Sequence, residues 1–169
     1  MPDATGLELL AGELRDRAHR PVLDTVFHRG QATIIVAPAA VREALAFLRE
    51  KGYTFLASVH GVDYYPEEPR LGVIYELLDM QAVDRVRVKT RVPISAPEVE
   101  SVTPDWPTAD HQEREAYDMF GIVFTGHHDL RRILMPEDYE GYPQRRDFPI
   151  GGEPVMFTVD EAHGRTYTQ

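Results

Sequence analysis

His111, Glu115 and Asp118 fall at i, i+4 and i+7, a spacing that places all three side chains on one face of a helix. An imidazole and two carboxylates so arranged could hold a divalent cation, as two ligands one turn apart do in zinc hydrolases. A stand-alone metal-dependent hydrolase is therefore one chemistry to test. Charged helices produce such triples often, and Arg114 beside them opposes a cation, so the expectation is no metal. His127-His128-Asp129 is a second cluster. Neighbouring loop residues need distant partners to complete a metal site, with His60 and Asp63 as candidates. The expected role of His127 is instead a local hydrogen bond that shapes its loop.

Other chemistries have less to stand on. None of the 169 residues is cysteine, which removes disulfides, a thiol nucleophile and thiolate ligation of zinc or an iron–sulfur cluster. No glycine-rich phosphate loop and no Gly-x-Ser-x-Gly elbow is present. No catalytic, cofactor-binding or metal residue is therefore expected in this chain. Arg85, Arg87, Lys89 and Arg91 alternate with Val86, Val88 and Val92, so four cations share one strand face. That face is either solvated or a docking face for an acidic partner. A nucleic-acid groove is a further reading, but a net charge of −10 repels phosphates.

The elements that must position these residues follow from period and punctuation. Thr5 and Glu8 form a capping-box pattern ahead of Leu7, Leu10, Leu14 and Ala18, which predicts a helix over residues 6–18. Residues 22–28 and 31–37 predict a hairpin turning at Arg29-Gly30. Val41, Leu45 and Leu48 share a helix face that Gly52 closes. Strands are expected over 53–65, interrupted at Gly61, then over 71–80 and 84–93. Residues 93–107 form a proline-rich connection, Thr108 is the expected cap of a helix that Gly121 ends, and Asp110, Arg114 and Asp118 ladder along it. The expected class is α+β, an α/β sandwich. It has a mixed or antiparallel sheet of about four to five strands with helices on one side. An α+β domain is expected over 1–124 and an extended partner-binding arm over 125–169. The arm has little regular structure, yet its aromatic and aliphatic residues are too many for a disordered tail. No run is long and apolar enough to span a bilayer, and no signal peptide is read at the N-terminus.

Three runs then coincide with a known pattern: Glu113-Arg114-Glu115-x-Tyr117-Asp118-Met119-Phe120-Gly121-Ile122; Gly126-His127 with Leu130-Arg131-Arg132-Ile133-Leu134; and Pro136-Glu137-Asp138 with Gly141-Tyr142-Pro143-x-Arg145-Arg146-Asp147-Phe148-Pro149. They resemble the Glu-Arg-Glu signature family of proton-pumping NADH:quinone oxidoreductase, the C-type component of respiratory complex I. Ser101-Val102-Thr103, Trp106-Pro107 and Ala109 fit as well, while His128, Gln144 and Tyr139 depart from the expected Pro, Leu and Trp.

The resemblance implies a non-redox structural subunit of the hydrophilic arm. FMN and iron–sulfur clusters would belong to partner subunits, and electrons would pass from NADH to quinone with proton translocation. The implied partners are the peripheral-arm subunits that carry the quinone cavity and the terminal cluster. The chain would lie on the cytoplasmic side of an inner or thylakoid-type membrane, reaching it only through the complex. The residues expected at the subunit interface are Glu113, Arg114, Glu115, Tyr117, Asp118, Phe120, His127, Leu130, Arg131, Arg132, Ile133, Leu134, Tyr142, Arg145, Arg146, Asp147 and Phe148, with Arg131, Arg132 and Arg145 as anchors. A related subunit of a membrane-bound hydrogenase, or of a ferredoxin- or deazaflavin-fed complex, shares the motif and is the alternative.

Overall fold

The computed structural model describes residues 3–17 and 22–149. Helix α1 (Ala4–Arg17) is opened by Asp3, whose carboxylate accepts the Gly6 N–H at 2.7 Å. The cap thus sits upstream of the expected Thr5, because an aspartate both accepts the free N–H and complements the helix dipole. Leu7, Ala11 and Leu14 form its buried stripe. The expected end at residue 18 lies outside the described residues.

Strands β1 (Val22–His28) and β2 (Gln31–Val36) form the hairpin. Arg29 and Gly30 both take positive φ, 51° and 75°, the turn whose twist matches the flanking strands. After a short 3-10 turn comes α2 (Val41–Glu50), which buries Val41, Ala44, Leu45, Phe47 and Leu48. Strands β3 (Phe55–Asp63), β4 (Leu71–Asp79) and β5 (Asp84–Val92) meander back across the sheet. The order is β1-β2-β5-β4-β3, antiparallel throughout except where β5 lies parallel to β2. The crossover through α2 is what makes the sheet mixed.

Register decides the two faces. Ile34 lies opposite Val88, which lies opposite Tyr75, which lies opposite Val59, and all four are buried. The three helices cover this face: α1 on β1 and β2, α2 on β5, and α3 (Asp110–Phe120) on β3. The expected α+β class with helices on one side is what is found. Gly61 does not interrupt β3; a Cβ there would run into the Phe120 ring, so glycine lets α3 settle on the strand.

Two short strands were not foreseen. β6 (Glu98–Glu100) pairs in parallel with β7 (Val123–Thr125), tying the proline-rich connection to the chain beyond α3. Thr108 is not the cap of α3. It sits in a 3-10 turn over Pro107–Ala109, and the helix starts at Asp110 with no side-chain cap, its first turn carrying Asp110 and Glu113. No described helix is long and apolar enough to cross a membrane.

Candidate functional site

Helix α3 carries its acidic residues in two directions. Glu113 and Asp118 point inward and are fully buried, while His111 and Glu115 are exposed. The expected trio of His111, Glu115 and Asp118 is therefore not assembled. Asp118 Oδ2 accepts the backbone N–H groups of Ile133, Leu134 and Met135 at 3.0, 2.7 and 2.8 Å, and Oδ1 accepts Arg132 Nη1 at 2.7 Å. Burial pushes the Asp118 pKa up, but the three N–H donors and Arg132 together outweigh it and hold the carboxyl below its usual range. A carboxylate engaged by four donors has no lone pair facing a metal.

Glu113 faces the other way. Its carboxylate accepts Ser101 Oγ–H at 2.7 Å and the Val102 N–H at 2.8 Å, clamping the β6 connection to the helix. Burial raises its pKa to about 7 against the opposing pull of those two donors.

The chain after β7 returns to α3 and is sewn down by main-chain and side-chain bonds. Arg114 donates to the carbonyls of Arg131 and Arg132 at 3.2 and 3.3 Å. Arg132 also reaches the Gly141 carbonyl at 2.9 Å. Arg145 Nε donates to the Phe120 carbonyl at 2.7 Å, its guanidinium lies 4.3 Å from the Tyr142 ring centre, and its burial lowers its pKa. Both side chains lie over Gly121, the left-handed end of α3 (φ 73°). A Cβ there would come within 2.5 Å of Tyr142 and 2.6 Å of Arg145.

One cluster here includes residues that sequence reasoning did not place in the site. Arg70 is buried and forks onto Asp63, Nε to Oδ1 at 2.9 Å and Nη2 to Oδ2 at 2.7 Å, and also onto Asp147 at 2.7 and 2.6 Å. Asp63 Oδ2 accepts the Arg146 N–H as well, at 2.8 Å. The Arg70 fork is the largest cause of a strongly depressed Asp63 pKa. The bidentate geometry suits guanidinium and carboxylate. The sequence signal was faint, an Arg and an Asp flanking the 66–69 loop, and nothing in it points 77 residues onward to Asp147.

His127 behaves as a loop staple. Its Nδ1 accepts the Asp129 N–H at 3.1 Å, so Nε2 carries the ring proton, and Nε2 stands 3.1 Å from Asp110 Oδ1. Asp110, His127 and His128 lie close enough to suggest a metal cluster. With Nδ1 accepting and Nε2 protonated, however, His127 offers no free lone pair to an ion. Neither His60 nor Asp63 joins this group.

Of the residues expected at an interface, Glu113, Asp118 and the His127 ring are buried within the chain and act from inside it. Phe120 packs on Gly61, and Leu130 packs on the core. Arg114, Arg132, Tyr142 and Arg145 are partly buried and hold the fold-back. Phe148 stacks near Tyr139, and Tyr117 is half-buried. Glu115, Arg131, Ile133, Leu134, Arg146 and Asp147 reach solvent. The turn that Asp118 fastens presents Ile133 at 38% and Leu134 at 60% exposure, two adjacent aliphatic side chains facing outward.

Residues 34–154 match the family described as respiratory-chain NADH dehydrogenase, 30 Kd subunit. The C-type component of the NADH-quinone oxidoreductase of Roseiflexus sp. (strain RS-1) is 42% identical over 164 residues, 95% of this chain and 92% of the relative. A solved trypsin-resistant fragment (1–134) of Nqo5 is 34% identical, with a TM-score of 0.63 over 73% of this chain and 98% of the fragment. A chain in the structure of the membrane-bound sulfane sulfur reductase, an archaeal respiratory membrane complex, shares the fold. Its TM-score is 0.71 at 24% identity, with 85% of each chain covered.

Proposed function

The chain belongs to the respiratory-chain NADH dehydrogenase 30 Kd subunit family, and on that premise we propose that it is a non-redox scaffold in the peripheral arm of an NADH-quinone oxidoreductase. It is a part of that oxidoreductase and holds no catalytic centre of its own. Its work is to set neighbouring subunits in register. Electron transfer between their centres depends on those positions, so a chain without chemistry is still needed for turnover. FMN and iron–sulfur clusters belong to the neighbours, and the donor–quinone reaction with proton translocation belongs to the assembly. The partners are the subunits that carry the quinone cavity and the terminal cluster. The complex holds the chain at the cytoplasmic side of an inner or thylakoid-type membrane.

One observation carries the contact surface: the fastened turn at residues 131–135. Asp118 takes its 133–135 N–H groups and Arg114 its 131 and 132 carbonyls, while its aliphatic side chains are left outside. A knuckle whose N–H groups are held by Asp118 and whose Ile133 and Leu134 are exposed is pre-ordered to bury apolar surface on a partner. The similarity to NADH-quinone oxidoreductase components favours the quinone-linked assembly over a hydrogenase-type one. The engagement of Asp118 removes the metal-dependent hydrolase.

The test is a mild-detergent pull-down from membranes with the double variant Ile133→Asp, Leu134→Asp. The variant chain keeps its fold, and the recovery of other arm subunits drops with NADH-to-quinone turnover. Normal recovery and turnover refute the proposed surface.

A further inference from the structure

Among the described residues no helix covers the other face of the main sheet, and that face has an unusual charge arrangement. β5 places Arg87, Lys89 and Arg91 on it, opposite Glu76, Ile74 and Gly72 of β4. Arg87 is neutralised by Glu76, with Nε 2.5 Å from Oε1, and Arg91 turns to the 67–69 loop, where Nε donates to the Pro69 carbonyl at 2.6 Å. Lys89 has no carboxylate partner among the described residues. Its ammonium lies 4.2 Å from the centre of the Tyr64 ring, and the Arg91 guanidinium lies 4.4 Å from the same ring. Gly72 makes this possible, since a Cβ there would meet Tyr64 at 2.6 Å. The ring is thereby fixed against the sheet. A ring quadrupole holds a cation without neutralising it. Arg91 has the Glu67 carboxylate 3.5 Å away, so Lys89 is the cation here that only an incoming carboxylate would relieve.

Lys89 and Arg87 line a cavity of about 240 Å³ whose apolar wall is Val26, Ile35 and Ile74, with His28, Gln31, Thr33 and Tyr64 completing it. Val26 is 42% exposed, and at the far edge of the same face Phe55 is 50% exposed. From β1 to β3 the face is roughly 19 Å wide at ordinary strand spacing, wider than a small anion needs.

We infer that this open face is a second docking surface, taking an acidic segment of another polypeptide whose carboxylate seats on Lys89 and whose neighbouring apolar side chain enters the cavity at Val26 and Ile74. It lies on the opposite side of the sheet from α3 and stands independently of the 131–135 knuckle. This face does not pair with itself across a two-fold axis, because that contact would bring two Lys89 ammonium groups together.

The experiment uses the full-length chain in native membranes, with a benzoylphenylalanine cross-linker at position 26 and, in a parallel strain, at position 134. Illumination yields an adduct from position 26 on a peptide of another subunit bearing Asp or Glu. Lys89→Glu cuts that adduct about tenfold, the loss expected when a like charge replaces one member of a close pair. The position-134 adduct is unchanged, and reversing the partner's acid to Lys restores the position-26 adduct. An adduct within residues 150–169, an adduct to a second copy, no adduct, or one indifferent to Lys89→Glu overturns the inference. The position-134 adduct reports separately on the proposed contact of the knuckle.

Discussion

Asp118 Oδ1 accepts Arg132 Nη1 at 2.7 Å while Oδ2 receives three successive backbone N–H groups, so one buried carboxylate holds both the cation and the turn beside it. Asp118→Ala leaves three N–H groups and a largely buried guanidinium without their acceptor. Breaking such a pair by removing one partner costs about 3–5 kcal/mol. Denaturant unfolding of the chain reads the loss. The segment after β7 comes away first, so limited trypsin digestion accelerates at Arg131 and Arg132. A Tm and a digestion rate equal to wild type would sink the staple.

Arg131 and Arg132 separate in the same assay. Arg131 is 59% exposed on its side chain and touches Asp129 and Glu137, both at the surface. Exposed pairs of this kind contribute under ~1 kcal/mol. Arg132 is 12% exposed and reaches Asp118 and the Gly141 carbonyl. Arg131→Ala therefore leaves stability within about 0.5 kcal/mol, and Arg132→Ala costs several-fold more. Equal effects in urea unfolding would contradict the assignment.

What was legible in the sequence was whatever depended on local period. Alternating valines gave β5, Arg29-Gly30 gave the hairpin turn, and Gly121 gave the end of α3, each a property of a few adjacent residues. What escaped depended on partners far along the chain. β6 and β7 are three residues each, too short for any period, and exist only because they pair across α3. Arg70 reads as a loop arginine until the fold brings Asp147 to it. The spacing of His111, Glu115 and Asp118 was real, but two of the three point to solvent and the third to the backbone of residues 133–135. Period places a side chain on a face and does not say what meets it.

The two carboxylates on Arg70 are unequal. Asp63 is 2% exposed on its side chain and Asp147 is 49% exposed. Asp63→Asn weakens the fork and the Arg146 N–H bond at a buried position, with an expected cost of about 3 kcal/mol. Asp147→Asn acts at a wet site and costs under about 1 kcal/mol. A double-mutant cycle through Arg70→Met measures each coupling. Matching couplings for the two aspartates would show that burial does not rank them.

Glu113 fixes the alkaline side of the stability profile. Its folded pKa, about 7, stands above the ordinary value near 4.5, so the folded chain prefers the protonated form. The contribution of that proton is fully present below about pH 4.5 and is lost as pH rises through 7. The shift corresponds to about 3 kcal/mol at most. Asp63 and Asp118 have the opposite sign: their folded pKa values are depressed, so their contribution is present above about pH 4 and lost in more acid solution. Stability of the isolated chain then climbs from acid to a maximum near pH 4.5–5 and declines toward pH 8. Glu113→Gln keeps an oxygen for the Val102 N–H and an amide for Ser101 Oγ, and has no proton to lose. Urea titrations of this variant keep the acid limb and flatten the decline between pH 5 and 8. If the decline persists in Glu113→Gln, the titrating group is another one and the buried position of Glu113 does not set it.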